Sequence, residues 1–170
     1  MRILETARLE LRRMTPADAP LILALLNDPG FLRFIGDKGV RTLADAAAYI
    51  ERGPLASYAQ HGFGLWLVTV KDGGTAIGMC GLIKREGLDD VDIGFAYLPQ
   101  FCGRGYATEA AAATLHHGRT VLGLKRIVAI TAPDNAASAN VLRKIGLRHT
   151  RTLRLPALQT DSLLFTPPEA

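Results

Sequence analysis

Hydrophobic and polar positions change period several times along this chain, and each change marks an element. Leu9 and Leu11 alternate with Glu10, which predicts a first strand over about 7–13. Thr15-Pro16-Ala17-Asp18 then carries a helix start: a capping hydroxyl, a proline suited to the first turn, and an acid three residues past the cap. Leu21, Ile22, Leu25 and Leu26 follow at helical spacing. Thr42-Leu43-Ala44-Asp45 repeats the cap and predicts a second helix to about Tyr58, with a glycine- and charge-rich loop from Phe34 to Arg41 before it. From Leu65 the period falls to two. Strands over 65–70, 75–84 and 91–98, separated by polar turns at 71–74 and 86–90, read as an antiparallel meander that Pro99 ends.

The helical period returns after Gly105, where Ala107, Ala110, Ala111, Thr114, Leu115, Gly118, Val121 and Leu122 fall on one stripe and Gly123 supplies a stop. Arg126 to Thr131 is a β-branched strand. Asp134 or Asn135 caps a helix ending at Gly146, and two short strands, about 147–154 and 158–165, follow. The order β-α-α-β-β-β-α-β-α-β-β predicts an α/β or α+β layer, with helices covering a mixed sheet. Pro167 to Ala170 reads as a loose tail.

Composition bounds this picture. With 170 residues, 48% hydrophobic and 21% charged, the chain fits one domain over 1–170 and excludes collagen-like, mucin-like and wholly disordered classes. No apolar run approaches the ~20 residues that span a bilayer. Met1 to Thr6 lacks the marks of a secretory signal, so the expected location is cytoplasmic, with no membrane partner. Cys80 and Cys102 have neither disulfide-framework nor zinc spacing, and no metal is expected. The formal charge of +4 comes chiefly from arginine, a residue suited to phosphates and carboxylates. No basic tract or aromatic–basic repeat appears, so no nucleic-acid partner is expected.

The most informative stretch is Gln100-Phe101-Cys102-Gly103-Arg104-Gly105-Tyr106-Ala107-Thr108-Glu109-Ala110, joining a strand to a helix. A helix start presents unpaired N–H groups and about half a positive charge, and glycines let a phosphate come close to the main chain. Arg104 adds a charged donor. The same glycines also serve a tight strand–helix connection with no ligand. A P-loop is excluded because no glycine cluster is followed by Lys-Ser/Thr. A dinucleotide fingerprint is excluded because Thr108 stands at the third glycine position and a meander precedes it.

Gln100-x-x-Gly103-x-Gly105 resembles the pyrophosphate loop of the GNAT superfamily, the GCN5-related N-acetyltransferases. Its continuation to Ala110 is similar to the RimJ/RimL-like subgroup, which acetylates ribosomal-protein N-termini. Thr6 to Arg12, Asp92 to Pro99, Leu124 to Ile127, Pro133 to Ser138, Leu142 to Leu147 and Asp161 to Phe165 resemble other pieces of that subgroup, in order. The match is weakest from about 30 to 60. The resemblance implies a central, mostly antiparallel mixed sheet of about six to seven strands, helices on both faces, and splayed fourth and fifth strands. It also implies acetyl-CoA as co-substrate. The pyrophosphate would lie on the N–H groups from Cys102 to Ala107, near Gln100, and the pantetheine arm beside Phe95, Ala96 and Tyr97. Asn135 matches a position that bonds the pantetheine amides, with Ser138 a turn further on, and Arg143 is within reach of the phosphates.

Direct transfer needs a neutral amine, an oxyanion donor and a proton for the leaving thiolate. Deprotonating a lysine-like amine of pKa ~10.4 at neutral pH costs about 4.6 kcal/mol, against about 1.1 for an α-amine near ~7.8. An N-terminal amine therefore needs little more than a water relay. Asp92 matches the acidic position of the family's fourth strand and is the candidate base, water-orienting group or ammonium grip. It also reads as a solvent-facing acid in the turn from Asp89. Many relatives place a Tyr acid where this chain has Leu142, so Ser138 is the substitute donor, and the oxyanion donor is an N–H near Phe95 to Tyr97. Cys102 is not taken as a nucleophile. His61, His116, His117 and His149 show no metal or catalytic spacing. Glu109 fits dipole compensation or a tether to a neighbouring loop.

The expected reaction is acetyl transfer to a primary amine, with a protein α-amine favoured. Small amines (an aminoglycoside, a polyamine or an amino-acid derivative) remain as acceptors, and a non-catalytic acetyl-CoA-binding module remains as another class. Selectivity is expected between Phe31 and Tyr58 and in the loop between the last two strands, with Asp37, Asp45 and Glu51 as available acids. A homodimer is compatible with the sequence and not fixed by it.

Overall fold

The computed structural model describes residues 1–158 and 160–168; Gln159, Glu169 and Ala170, and with them the end of the expected tail, lie outside the described residues. Eight strands form one sheet: β1 (Arg2–Glu5), β2 (Leu9–Arg12), β3 (Leu65–Val70), β4 (Ala76–Ile83), β5 (Val91–Tyr97), β6 (Ile127–Thr131), β7 (Arg148–Leu153) and β8 (Ser162–Thr166). Their spatial order is β1-β2-β3-β4-β5-β6-β8-β7, and among the described residues only β5 and β6 run parallel. The count exceeds the expected six to seven because β1 folds back on β2, pairing Glu5 with Glu10. Four residues at a sheet edge carry too short an alternation to read.

Helices α1 (Ala19–Leu26), α2 (Pro29–Phe34), α3 (Leu43–Ile50) and α4 (Ala56–His61) lie between β2 and β3. The expected second helix is α3 and α4 joined by a π turn over Glu51–Leu55. Pro54 has no N–H for the α-helical ladder, and the wider turn absorbs that break while burying the ring. The cap on α3 is as the sequence reads: Thr42 Oγ1 accepts from Asp45 N at 3.0 Å, and Asp45 Oδ2 accepts from Thr42 N at 3.2 Å. Asp28 caps α2, which begins before the expected loop and takes in Phe31.

The sheet is covered on both faces. Helix α5 (Tyr106–Thr120) and helix α6 (Ala136–Lys144) pack on one face with Leu9, Trp66, Leu82, Ile127 and Phe165; α1 and α3 pack on the other with Leu67 and Met79. The stripe on α5 buries Ala110, Ala111, Thr114, Leu115 and Gly118, whereas Val121 lies beyond the helix and is 68% exposed. Gly118 is where α5 lies closest to the sheet: a Cβ there would sit 2.6 Å from Ile127 Cδ1.

Candidate active site

Strand β5 is paired to β4 from Asp92 with Ile83 to Tyr97 with Gly78, but to β6 only at Val91 and Asp92. Strand β6 instead turns toward β8, pairing Ala129, Ile130 and Thr131. From Ile93 onward, the β5 edge facing the fork has no strand partner among the described residues. Unpaired main-chain groups at such an edge accept an extended ligand as an added strand. A cleft of about 1160 Å³ opens at the fork, lined by Ile93, Gly94 and Phe95 on one side and Ile130 and Thr131 on the other.

The strand leads into the glycine loop. A 3₁₀ turn at Pro99–Phe101 holds Gln100 exposed, and Cys102 N donates to Pro99 O at 3.2 Å. The N–H of Cys102, expected in the phosphate grip, is thus already engaged, and Cys102 Sγ lies 3.7 Å from Leu98 O. From Gly103 through Arg104, Gly105 and Tyr106 to Ala107, no N–H has an acceptor among the described residues. Gly103 and Gly105 have φ of 78° and 83°, the left-handed region that glycine adopts without a Cβ clash. Free donors, a helix start and Arg104 converge there, which fits a diphosphate.

The loop is braced from the N-terminal segment. Glu109 accepts from Thr6 Oγ1 at 2.5 Å, Arg8 N at 3.0 Å and Arg8 Nε at 2.7 Å. Arg8 also donates to Arg104 O at 2.9 Å and lies 4.5 Å over the Tyr106 ring. Burial raises the Glu109 pKa, but these bonds outweigh it and hold the carboxyl below its usual range. The tether expected of Glu109 is therefore present, and its partners Thr6 and Arg8 are what the sequence did not reveal.

Asp92 is fully buried, 0% exposed, and both its carboxylate oxygens accept from Arg85 Nε, at 3.0 and 3.1 Å. Burial pushes its pKa up to about 6, with Arg85 opposing. Arg85, not Asp92, lines the cleft. An arginine in a polar turn gives no sign in sequence that it will fold back over a buried acid. Asn135 Oδ1 caps α6 by accepting from Ser138 N at 3.2 Å, and Asn135, Ser138 and the buried Leu142 line the cleft together. Thr131 Oγ1 is buried there without a partner among the described residues. Arg143 lies at the far end of α6, 3.1 Å from Asn140 Oδ1 and 5.9 Å over the Phe165 ring.

On the opposite wall stand Lys38, Tyr49 and Arg52. Two of the three acids expected to serve selectivity have other duties: Asp37 pairs with Arg41, and Asp45 completes the α3 cap, while Glu51 does not line the cleft. Burial, with Arg85 opposing, raises the Tyr49 pKa, and burial, then the Arg85 charge, lowers that of Lys38. Among the described residues no group of acids, cysteines and histidines could hold a metal, and no helix is long and apolar enough to cross a membrane.

A forked mixed sheet with an amide-lined loop at its mouth defines the acetyltransferase class. The model of the GNAT acetyltransferase domain matches residues 8–148. The chain is 31% identical to the uncharacterized protein YkkB of Bacillus subtilis, over 89% of this chain and 88% of that one. Among solved structures, a GNAT-family acetyltransferase from Bacillus anthracis matches at 26% identity and TM-score 0.80, covering 98% of this chain and 97% of that one. Mycobacterium smegmatis RimJ in complex with CoA-disulfide shares the fold at 23% identity and TM-score 0.77, covering 93% and 80%. The chain belongs to the GNAT acetyltransferase family and is an acetyl-CoA-dependent acyltransferase.

Proposed function

We propose that this enzyme moves acetyl from acetyl-CoA to a primary α-amine, a peptide or protein N-terminus, presented in the cleft between β5 and β6. The observation that carries the reading is the unpaired β5 edge running straight into the free amides of Gly103 to Ala107. Acetyl-CoA supplies the activated thioester. Gly103 to Ala107, with Arg104, hold its diphosphate, and the Phe95–Tyr97 edge pairs with the pantetheine arm. An N–H of that edge polarises the acetyl carbonyl. Asn135, whose Oδ1 is spent on the cap, directs its Nδ2 donors to the pantetheine amide carbonyls, and the Ser138 hydroxyl donates a hydrogen bond to the departing thiolate, which water protonates with the proton the amine gives up.

Among the described residues no cleft-lining carboxylate is left without an arginine, which disfavours a strong base. An α-amine needs none, since its deprotonation costs only about 1.1 kcal/mol at neutral pH. Asp92 fixes Arg85 at the cleft wall, and water takes the amine proton. Arg143, engaged with Asn140 and Phe165, is left out of the assignment. The test is mass spectrometry after incubation with acetyl-CoA and three acceptor sets: free-N-terminus peptides, N-blocked lysine peptides, and polyamines with aminoglycosides. Acetylation of the first set is expected; acetylation confined to the other two would overturn the reading.

A further inference from the structure

The charges around the cleft do not balance. Its three carboxylates among the described residues are each tied to an arginine: Asp134 to Arg33 at 3.2 Å, Asp161 to Arg154 at 3.1 Å, and Asp37 to Arg41. Of the cations, Arg85 is matched by Asp92, and Lys84 Nζ is occupied by the carbonyls of Leu88 and Asp89 at 2.6 and 3.0 Å. Lys38 and Arg52 remain: like Lys84 they have no carboxylate partner among the described residues, and unlike it their side chains have no hydrogen-bond partner there either. Both line the cleft. Arg52 lies in the π turn that accommodates Pro54. Lys38 stands close enough to Arg85 for the two charges to disfavour each other.

We infer that the acceptor carries a carboxylate near its amine, and that Lys38 and Arg52 read it from the α3 side of the cleft. This deepens the α-amine reading and rests on it. Among the described residues a purely cationic acceptor meets Lys38, Arg52 and Lys84, none paired with a carboxylate, and no free acid, so a polyamine is repelled by the wall that attracts a carboxylate. Both cations are partly solvated, so each contact is modest, and together they supply about a tenfold preference, weakened by salt. The carboxylate comes either from a free α-amino acid or from an Asp or Glu side chain next to a peptide N-terminus.

Matched acceptors test this: amino acids against their carboxamides, and Ser-Asp and Ser-Glu peptides against Ser-Asn and Ser-Gln. The expected result is about tenfold higher kcat/KM for the carboxylate member of one series, and which series shows it identifies the source. Lys38→Gln with Arg52→Gln removes the preference, and Lys38→Glu with Arg52→Glu reverses it, with the acetyl-CoA KM unchanged and Arg148→Gln as the neutral control. The same pairs titrated calorimetrically into CoA-saturated enzyme read the preference without turnover. Selective binding with no transfer upholds carboxylate recognition and defeats the transfer reading. Transfer without preference in the wild type, or preference for polyamines, overturns the inference and leaves transfer standing; the wild-type pairs decide this even if a variant fails to fold.

Discussion

The loop at residues 102–107 and the wall formed by Lys38, Tyr49, Arg52 and Arg85 face the same substrates with different materials. The loop offers main-chain N–H groups, fixed by two left-handed glycines and braced through Glu109, so its donors keep one direction whatever side chains surround them. The wall offers long cationic side chains from three separate segments, and its character depends on which cation is matched by an acid. A main-chain site tolerates exchange of side chains and not of backbone shape. A side-chain site behaves the other way round, so one GNAT frame can hold one cofactor while its acceptor wall varies.

The strongest way to break this contrast is at Arg85. Arg85→Ala leaves Asp92 buried and unpaired and is expected to lower the unfolding free energy by about 3–5 kcal/mol at pH 7.5 in urea melts. Asp92 has a folded pKa of about 6, above its ordinary value, so the folded state binds the extra proton. Its contribution is full below about pH 4 and is lost as pH rises through about 6. Without Arg85 the pKa climbs further. The deficit of the variant therefore shrinks on going from pH 7.5 to 5.5; a constant or growing deficit would contradict the buried-pair account.

Next in size is Gly105→Val. A side chain at φ 83° costs about 1–2 kcal/mol, and its Cβ would lie 3.3 Å from Arg8 Nη2. An acetyl-CoA affinity loss of about 30-fold by calorimetry is expected, with the acceptor preference intact. Glu109→Ala cuts the bonds from Thr6 and Arg8 that steady the same loop. A five- to tenfold rise in acetyl-CoA KM, about 1 kcal/mol, is expected with kcat spared. The smallest effect is Thr131→Val, which removes a buried hydroxyl without a partner and should stabilise the ligand-free enzyme by about 0.5–1 kcal/mol in thermal melts. A loss of stability would mean that the hydroxyl is satisfied.

Local chemistry made the cofactor side legible in advance. Gly103 and Gly105 before an alanine-rich helical stripe, the Thr42–Asp45 capping box and the Asn135 cap are short-range features, because helix starts and left-handed turns are decided by residues within a few positions of one another. The same locality explains the misses. Strand β1 exists only because β2 is there to pair with it, and one expected helix is α3 and α4 around Pro54, which a wide turn accommodates within the packed layer.

Sequence by itself determined most of the elements, their order and the glycine turn before α5, since periodicity and glycine placement act over one or two turns of chain. Only the tertiary structure decided the acceptor wall. Asp92 becomes a buried partner of Arg85 because β4 and β6 close over it, and Asp37, Asp134 and Asp161 are claimed by arginines, one of them more than 100 positions away. Three of these pairs join residues within seven positions of each other, yet which of these charges face the cleft is set by how the strands and helices assemble around it, and no local pattern records that.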